Sequence, residues 1–149
     1  MTIIDLMIEN VRAHKKEQKS RSAGTEIRVS NNSKIQKIEK KELEGVGDSI
    51  VVHFEFITNY TPDVGEISIG GKLIYYDKNL KDKIKEEKGN IVIKDIETFQ
   101  EVQNFILRAS TLEAILIAKE LRMPSPIQLP SVRVGDAKEI LQEDKKGYA

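Results

Sequence analysis

The sequence of 149 residues contains no cysteine and no tryptophan. Without cysteine the chain can form neither a disulfide framework nor a thiolate zinc site. It also has no excess of charge, since basic and acidic residues number 24 each. Nucleic-acid binding needs a concentrated basic surface, so this balance argues against a general grip on nucleic acid.

Long apolar runs are missing as well. No stretch approaches the roughly 20 apolar residues that span a bilayer, so we expect no membrane insertion. The N-terminal part is unlike a signal peptide, because Asp5 and Glu9 interrupt its apolar residues and its basic residues come last. These features predict a cytoplasmic protein, and the length fits a single domain over residues 1–149.

Catalytic and ligand-binding motifs are scarce. His14 and His53 lie in separate regions, and neither has a second histidine near enough to suggest a pair of metal ligands. The glycine-rich stretch 65–71 has no following helix start and no Lys-Ser/Thr pair, so it favours a strand over a phosphate cradle. We expect no catalysis, no metal and no cofactor. A small-molecule enzyme whose site is built from distant residues stays an alternative.

The middle of the chain predicts a β-hairpin. Residues 50–60 form the clearest strand, and residues 66–76 follow after a turn at 62–65. Their residues alternate, so in each strand one set of side chains is predicted to share a face: Val52, Phe54, Phe56, Thr58 and Tyr60 on the first strand, and Ile67, Ile69, Leu73 and Tyr75 on the second. Gly70 and Gly71 indicate a bulge or a close approach of two backbones.

Two segments outside the hairpin allow either a helix or a strand. Residues 2–18 fit a helical stripe and also permit a strand. Residues 25–30 predict a strand, and 34–43 either continue it beyond a bulge or form a short helix. Residues 77–90 are highly charged and predict a solvated excursion, while a frayed tail with a short helix is expected after Val134.

A long helix is expected over residues 98–122. Thr98 and Glu101 have the spacing of a capping box, with Thr98 as the N-cap. The helix is apolar over more than half of its circumference, and one sheet can cover only one side, so a second partner is required. We therefore expect a homo-oligomer, at least a dimer, with an interface at Phe105, Leu112, Ile115 and Ala118. The predicted class is α+β: an antiparallel sheet of about four strands, with the helix on one face and a second short helix at the C-terminus.

Proline ends this helix and restricts the next segment of the chain. In EAILIAKELRMPSPIQLPSVRV (113–134), three prolines fall within seven residues, and a helix cannot pass through that spacing. Residues 123–134 are therefore predicted to be extended, yet Ile127 and Leu129 make them apolar. An extended apolar segment needs a partner surface, which indicates a binding or assembly protein rather than an enzyme.

The order of elements and the sequence 113–134 resemble the SecB family of export chaperones. The segment looks like that family's helix followed by its "TFPPL-x-L-x-PVNF" connection. Val64-Gly65-Glu66 looks like its L-G-E turn, and IENVRAHKKE looks like its first strand, which favours a strand there. The resemblance implies pairing of dimers into tetramers and contact of Val64 and Glu66 with a motor protein. Some SecB-like members serve toxin–antitoxin systems instead.

The resemblance implies a chaperone that holds unfolded or partly folded polypeptides in an apolar groove. Apolar residues on the sheet and on the extended segment are the expected contacts with a client: Phe54, Phe56, Ile67, Ile69, Ile127 and Leu129. The alternative is a structural or regulatory oligomer that binds one specific protein, such as a toxin or an antitoxin.

Overall fold

The main element of the computed structural model, which describes residues 2–16 and 26–132, is a four-stranded antiparallel sheet in the order β1-β4-β3-β2. A two-stranded hairpin and two helices complete it. The elements are β1 (Thr2–Lys15), β2 (Arg28–Leu43), β3 (Gly47–Thr61), β4 (Gly65–Tyr76), α1 (Leu80–Lys83), β5 (Ile84–Glu87), β6 (Asn90–Ile93) and α2 (Ile96–Glu120). The predicted α+β class, with a long helix on one face of the sheet, is confirmed. The short helix and tail expected after Val134 lie outside the described residues.

The two ambiguous segments are both strands. β1 pairs with β4 from Thr2 opposite Tyr76 to Lys15 opposite Gly65. β2 continues through residues 31–33, and its pairing with β3 shifts between Ile35 and Lys37, so Gln36 is the extra residue of a bulge. Because strand side chains alternate, that extra residue brings Ile35 and Ile38, three positions apart, to the same face of the sheet.

The sequence predicted which residues of each hairpin strand share a face, and the structure buries that face. Every residue of that face is at most 2% exposed. The close approach of two backbones that was expected at the glycines occurs at Gly71. A Cβ added to Gly71 would collide with the carbonyl oxygen of Met7 and would lie 3.0 Å from the ring of Phe54. The neighbouring irregularity is in β1, between Ile8 and Asn10, rather than at the glycines.

Helix α2 begins two residues earlier than expected. Its N-cap is Asp95, whose side chain accepts a hydrogen bond from the backbone N–H of Thr98 at 3.1 Å. The prediction that Thr98 is the N-cap was wrong, because Asp95 is the better acceptor and Thr98 instead donates its hydroxyl to the same carboxylate at 2.6 Å. The hydrogen bond from the Thr98 hydroxyl, followed by that from the Thr98 N–H, lowers the pKa of the Asp95 carboxyl.

The sheet covers only a narrow stripe of α2. Its buried residues recur at every fourth position: Thr98, Val102, Ile106, Ser110, Ala114 and Ala118. They pack on the inner face of β3 and β4 in two apolar clusters. The stripe ends in small residues, so the C-terminal half of the helix can lie close to the sheet. Phe105, Leu107, Leu112 and Leu116 stay exposed, whereas Ile115 and Ile117 are half-buried.

The charged segment 77–90 contains α1, β5 and the turn into β6. No residue pattern had predicted β5. The segment is tied to the core by Leu80 and Ile84, which are buried. It is also tied by Asp77, which is 4% exposed and lies 2.6 Å from the Lys83 ammonium. Asp77 further accepts hydrogen bonds from Tyr75 Oη and from the backbone N–H of Asn79.

Removing the charge of Asp77 should destabilise the fold. The bond from Lys83, followed by that from the Asn79 N–H, lowers the pKa of Asp77 from 3.8 to about 2. The folded state therefore favours the charged form, and Asp77→Asn should cost about 2 kcal/mol at pH 7. This stabilisation is complete above about pH 4 and is lost as the pH falls towards 2. Urea unfolding from pH 7 to pH 3 would measure it, with the exposed Asp82→Asn as the matched control. An equal stability of both variants at pH 7 would contradict the prediction.

Candidate functional site

The proline segment, residues 123–132, leaves α2 through a turn in the left-handed region. Arg122 has φ of 55°, and the N–H of Met123 donates to the carbonyl of Ala118 at 2.8 Å. These are the features of a Schellman-type helix end. The turn sends Met123 back into the core, where it packs with Val64 and Tyr60. The chain therefore folds back onto the sheet instead of extending into solvent.

Side chains of the sheet bind the main chain of the proline segment. The Tyr60 hydroxyl donates to the carbonyl of Pro124 at 2.7 Å, and Asn31 Nδ2 donates to the carbonyl of Pro126 at 2.7 Å. Burial raises the pKa of Tyr60, so its hydroxyl stays a donor at ordinary pH. The segment thus crosses from β3 to the edge strand β2.

Beyond Pro126 the apolar side chains face outward. Pro126 is buried, whereas Ile127 is 43% exposed and Leu129 is 50% exposed. Val132 is more exposed still. The extended conformation expected for this segment agrees with the absence of helix in its described part, residues 123–132. Val134, the last apolar residue of the predicted segment, lies outside the described residues.

A second apolar feature lies on the same side of the molecule. β2, β6 and the first turn of α2 surround a depression of about 310 Å³. Its apolar lining consists of Ile35, Ile38, Ile91, Val92, Ile93 and Phe99. Phe99 is 42% exposed although it is a large apolar residue. At one end of the hairpin, Lys40 bridges to Glu86 at 3.4 Å.

Along β2, Ser33 lies between Asn31, which binds the proline segment, and Ile35, which lines the depression. Ser33 Oγ donates to Gln103 Oε1 at 3.0 Å, which places this flank of α2 over the inner face of β2. Asn31 and Ser33 are two residues apart on that strand, or about 6.7 Å. Gln103 belongs to an i, i+4 row with Phe99 and Leu107, so the exposed Leu107 lies on the same flank of α2 as Gln103 and Phe99. We call the exposed and half-buried apolar residues of this side the β2-side surface: Ile35, Ile38, Ile91, Val92, Phe99, Leu107, Ile127 and Leu129.

Four of the predicted client-binding residues lie outside the β2-side surface. Phe54, Phe56, Ile67 and Ile69 are at most 1% exposed, because α2 covers the inner face of the sheet. A client could reach them only if α2 moved. Ile127 and Leu129, predicted for the same role, are accessible. The sequence offered a signal for Ile35 and Ile38, namely two apolar residues in a polar strand, but their common face depends on the bulge at Gln36.

The two turn residues expected to contact a partner protein, Val64 and Glu66, differ in accessibility. Val64 is buried against Tyr60 and Met123, and its carbonyl accepts the N–H of Lys16 at 2.8 Å. Glu66 is half-buried and lies opposite His14 and Asn59 in the sheet. Only Glu66 therefore has a side chain within reach of a partner.

The four residues expected at the oligomer interface also differ in exposure. Leu112 is 66% exposed, and Phe105 is exposed too. Ile115 is half-buried, and Ala118 packs against the sheet of its own chain. The exposed Leu116, at 58%, continues the row of Leu112 one turn further. The outward row of α2 therefore presents two leucines that the sheet does not cover.

The opposite face of the sheet is polar. His53 lies 3.2 Å from Glu39, and the hydrogen bond from Lys37, with a smaller one from His53, lowers the pKa of that carboxyl. A polar depression of about 410 Å³ lies nearby, with Arg12 and Glu55 in its lining. Within residues 2–16 and 26–132, no three His, Asp or Glu side chains gather in a way that could hold a metal ion.

No family model matches the chain, and no curated protein sequence does. A solved structure is similar: the Mycobacterium tuberculosis Rv1957 SecB-like chaperone in complex with a ChAD peptide from the Rv1956 HigA1 antitoxin. The two superpose with a TM-score of 0.52, over 89% of this chain and 90% of that chain, at 8% sequence identity. The chain therefore has a SecB-like fold. In its described part, no helix is long and apolar enough to cross a membrane.

Proposed function

We propose that this chain is a non-catalytic chaperone that binds extended apolar stretches of other polypeptides at its β2-side surface. The observation that carries the proposal is the exposure of Ile127 and Leu129 on a segment whose backbone is held by the sheet. An apolar side chain that is kept in water lowers its free energy when a partner covers it. The SecB-like fold supports the same function, because the similar solved structure is a SecB-like chaperone with a bound peptide.

The experiment replaces both exposed side chains of the proline segment. Full burial of an apolar side chain contributes about 1.5–3 kcal/mol, and about half of each is still exposed here. Ile127→Ser with Leu129→Ser should therefore weaken binding by about tenfold to a hundredfold. The probe is fluorescein-labelled, reduced and carboxymethylated α-lactalbumin, which is permanently unfolded, with binding followed by fluorescence anisotropy.

A matched control variant is Met7→Ser with Val11→Ser, two exposed apolar residues on β1, the edge strand opposite β2. It should bind the probe as the wild type does. Thermal melts of both variants complete the test, because the exposed positions predict retained folding. A folded Ile127/Leu129 variant with wild-type affinity would reject the site, and loss of folding would mean that the two residues belong to the core.

A narrower function has one observation in its favour. The similar solved structure holds a peptide from an antitoxin, so a chaperone of this fold can bind a segment of a specific protein. Protection of several unrelated unfolding proteins from aggregation would support general holding of non-native polypeptides. Protection of none, with tight binding of one folded protein or its peptide, would support a dedicated partner such as a toxin or an antitoxin.

We further propose that copies of the chain associate through the outward row of α2. Leu112 and Leu116 support this, since the sheet leaves both exposed on the longest helix. Association would bring several binding surfaces together, and multivalent binding of one long client strengthens weak single contacts.

A further inference from the structure

The inner face of the sheet carries polar side chains at one end, where an apolar core would be expected. Thr58 and Tyr60 are buried on β3, and Asn31 lies opposite Thr58 on β2. A buried hydroxyl costs free energy unless it has a hydrogen-bond partner. These residues find their partners in a short chain of bonds that ends on the proline segment.

The bonds follow a defined order. Thr58 Oγ1 donates to Asn31 Oδ1 at 2.7 Å, which leaves the amide of Asn31 with its Nδ2 turned to the carbonyl of Pro126. Tyr60 donates separately to the carbonyl of Pro124. Each of these acceptors is a main-chain oxygen, so the two hydrogen bonds fix the path of the backbone whatever the side chains of the segment are.

The two captured carbonyls set the direction of the exposed residues. The carbonyl of Pro126 belongs to the peptide plane that leads into Ile127, so a bond to that oxygen orients the plane and the side chain after it. Pro124 and Pro126 have fixed φ, which leaves the intervening Ser125 little freedom. An apolar segment held in this way cannot fold its own side chains into the nearest crevice.

We infer that Asn31, oriented by Thr58, and Tyr60 are positioning residues that hold the proline segment with Ile127 and Leu129 presented to a client. The inference rests on the proposed function. Its benefit is preorganisation: a surface that is already ordered loses less conformational freedom when it binds. Neither residue needs to touch the client.

Tyr60→Phe and Asn31→Asp separate positioning from contact. The first removes one hydroxyl and keeps the buried ring. The second keeps the shape of an exposed side chain and its bond from Thr58, but a carboxylate cannot donate to the carbonyl of Pro126. Each lost hydrogen bond should weaken binding of unfolded α-lactalbumin by between about twofold and tenfold.

Two readouts distinguish a positioning role from a general loss of stability. Hydrogen exchange at the amides of residues 127–129 should become faster in both variants, while exchange in β3 and β4 stays as in the wild type. The Asn31→Asp defect should also shrink, relative to the wild type at the same pH, as the pH falls to about 4, where a protonated carboxyl can donate again. Asn59→Asp, an exposed asparagine on the other face of β3, is the matched control and should change neither readout.

The outcomes separate this inference from the proposed function. If Ile127→Ser with Leu129→Ser abolishes binding but Tyr60→Phe and Asn31→Asp bind as the wild type does, positioning is overturned and the proposed function stands. Weakened binding with unchanged exchange at residues 127–129 would also overturn positioning. If the Ile127/Leu129 variant itself binds normally, both claims fall. Should Asn31→Asp fail to fold, Tyr60→Phe decides the result alone.

Discussion

Replacing Phe56 with alanine should lower the free energy of unfolding by about 3–5 kcal/mol, the range for removing a large aromatic side chain from a packed core. Phe56 is fully buried between β3, β4 and the Ala114–Ala118 part of α2. The surrounding strands are hydrogen-bonded on both sides and cannot collapse fully into the space left by the ring. Urea unfolding followed by circular dichroism would measure the loss.

The matched control is Phe99→Ala, which removes the same side chain from an exposed position on α2. It should cost far less stability and should weaken binding of unfolded α-lactalbumin, since Phe99 is part of the β2-side surface. The reverse pattern, with Phe56→Ala stable but deficient in binding, would mean that the covered face of the sheet opens to clients. That result would restore the sequence-based expectation for Phe54, Phe56, Ile67 and Ile69.

Leu112→Asp combined with Leu116→Asp should convert an oligomer into folded monomers. In an interface between copies, each carboxylate would lose its water without gaining a partner, at a cost of several kcal/mol. In the monomer both positions are mostly exposed, so the fold should tolerate the change. Light scattering coupled to size-exclusion chromatography would report the mass.

Leu107→Asp is the matched control for assembly, because it is an exposed leucine on the neighbouring flank of the same helix. It should leave the mass unchanged and weaken client binding. An unchanged mass in the Leu112/Leu116 variant would count against the outward row as the interface. A wild-type protein that is monomeric in dilute solution would reject self-association altogether.

The hairpin shows how much of the structure an alternating sequence pattern predicts. Alternation in residues 50–60 and 66–76 predicted which side chains share a face, because a strand has only two faces. Only the fold shows that α2 packs over this face and buries it. The α+β class followed from that hairpin and from the length of α2. The start of α2 was predicted two residues late, because Asp95 and Thr98 are both good caps and only the fold shows which one precedes the first turn.

Part of the candidate site could likewise be predicted from the sequence, and part could not. Three prolines determined, from the sequence alone, that residues 123–132 cannot be helical, and their apolar residues indicated a surface for binding. Only the tertiary structure decided which apolar residues are available. Helix α2 lies over Phe54 and Phe56 and removes them from the surface, whereas Tyr60 and Asn31 hold Pro124 and Pro126 so that Ile127 and Leu129 stay outside. The physical reason is range. The φ restriction by proline acts between neighbours in the chain, whereas burial and hydrogen bonds to main-chain carbonyls join distant residues, such as Asn31 and Pro126, which are 95 positions apart.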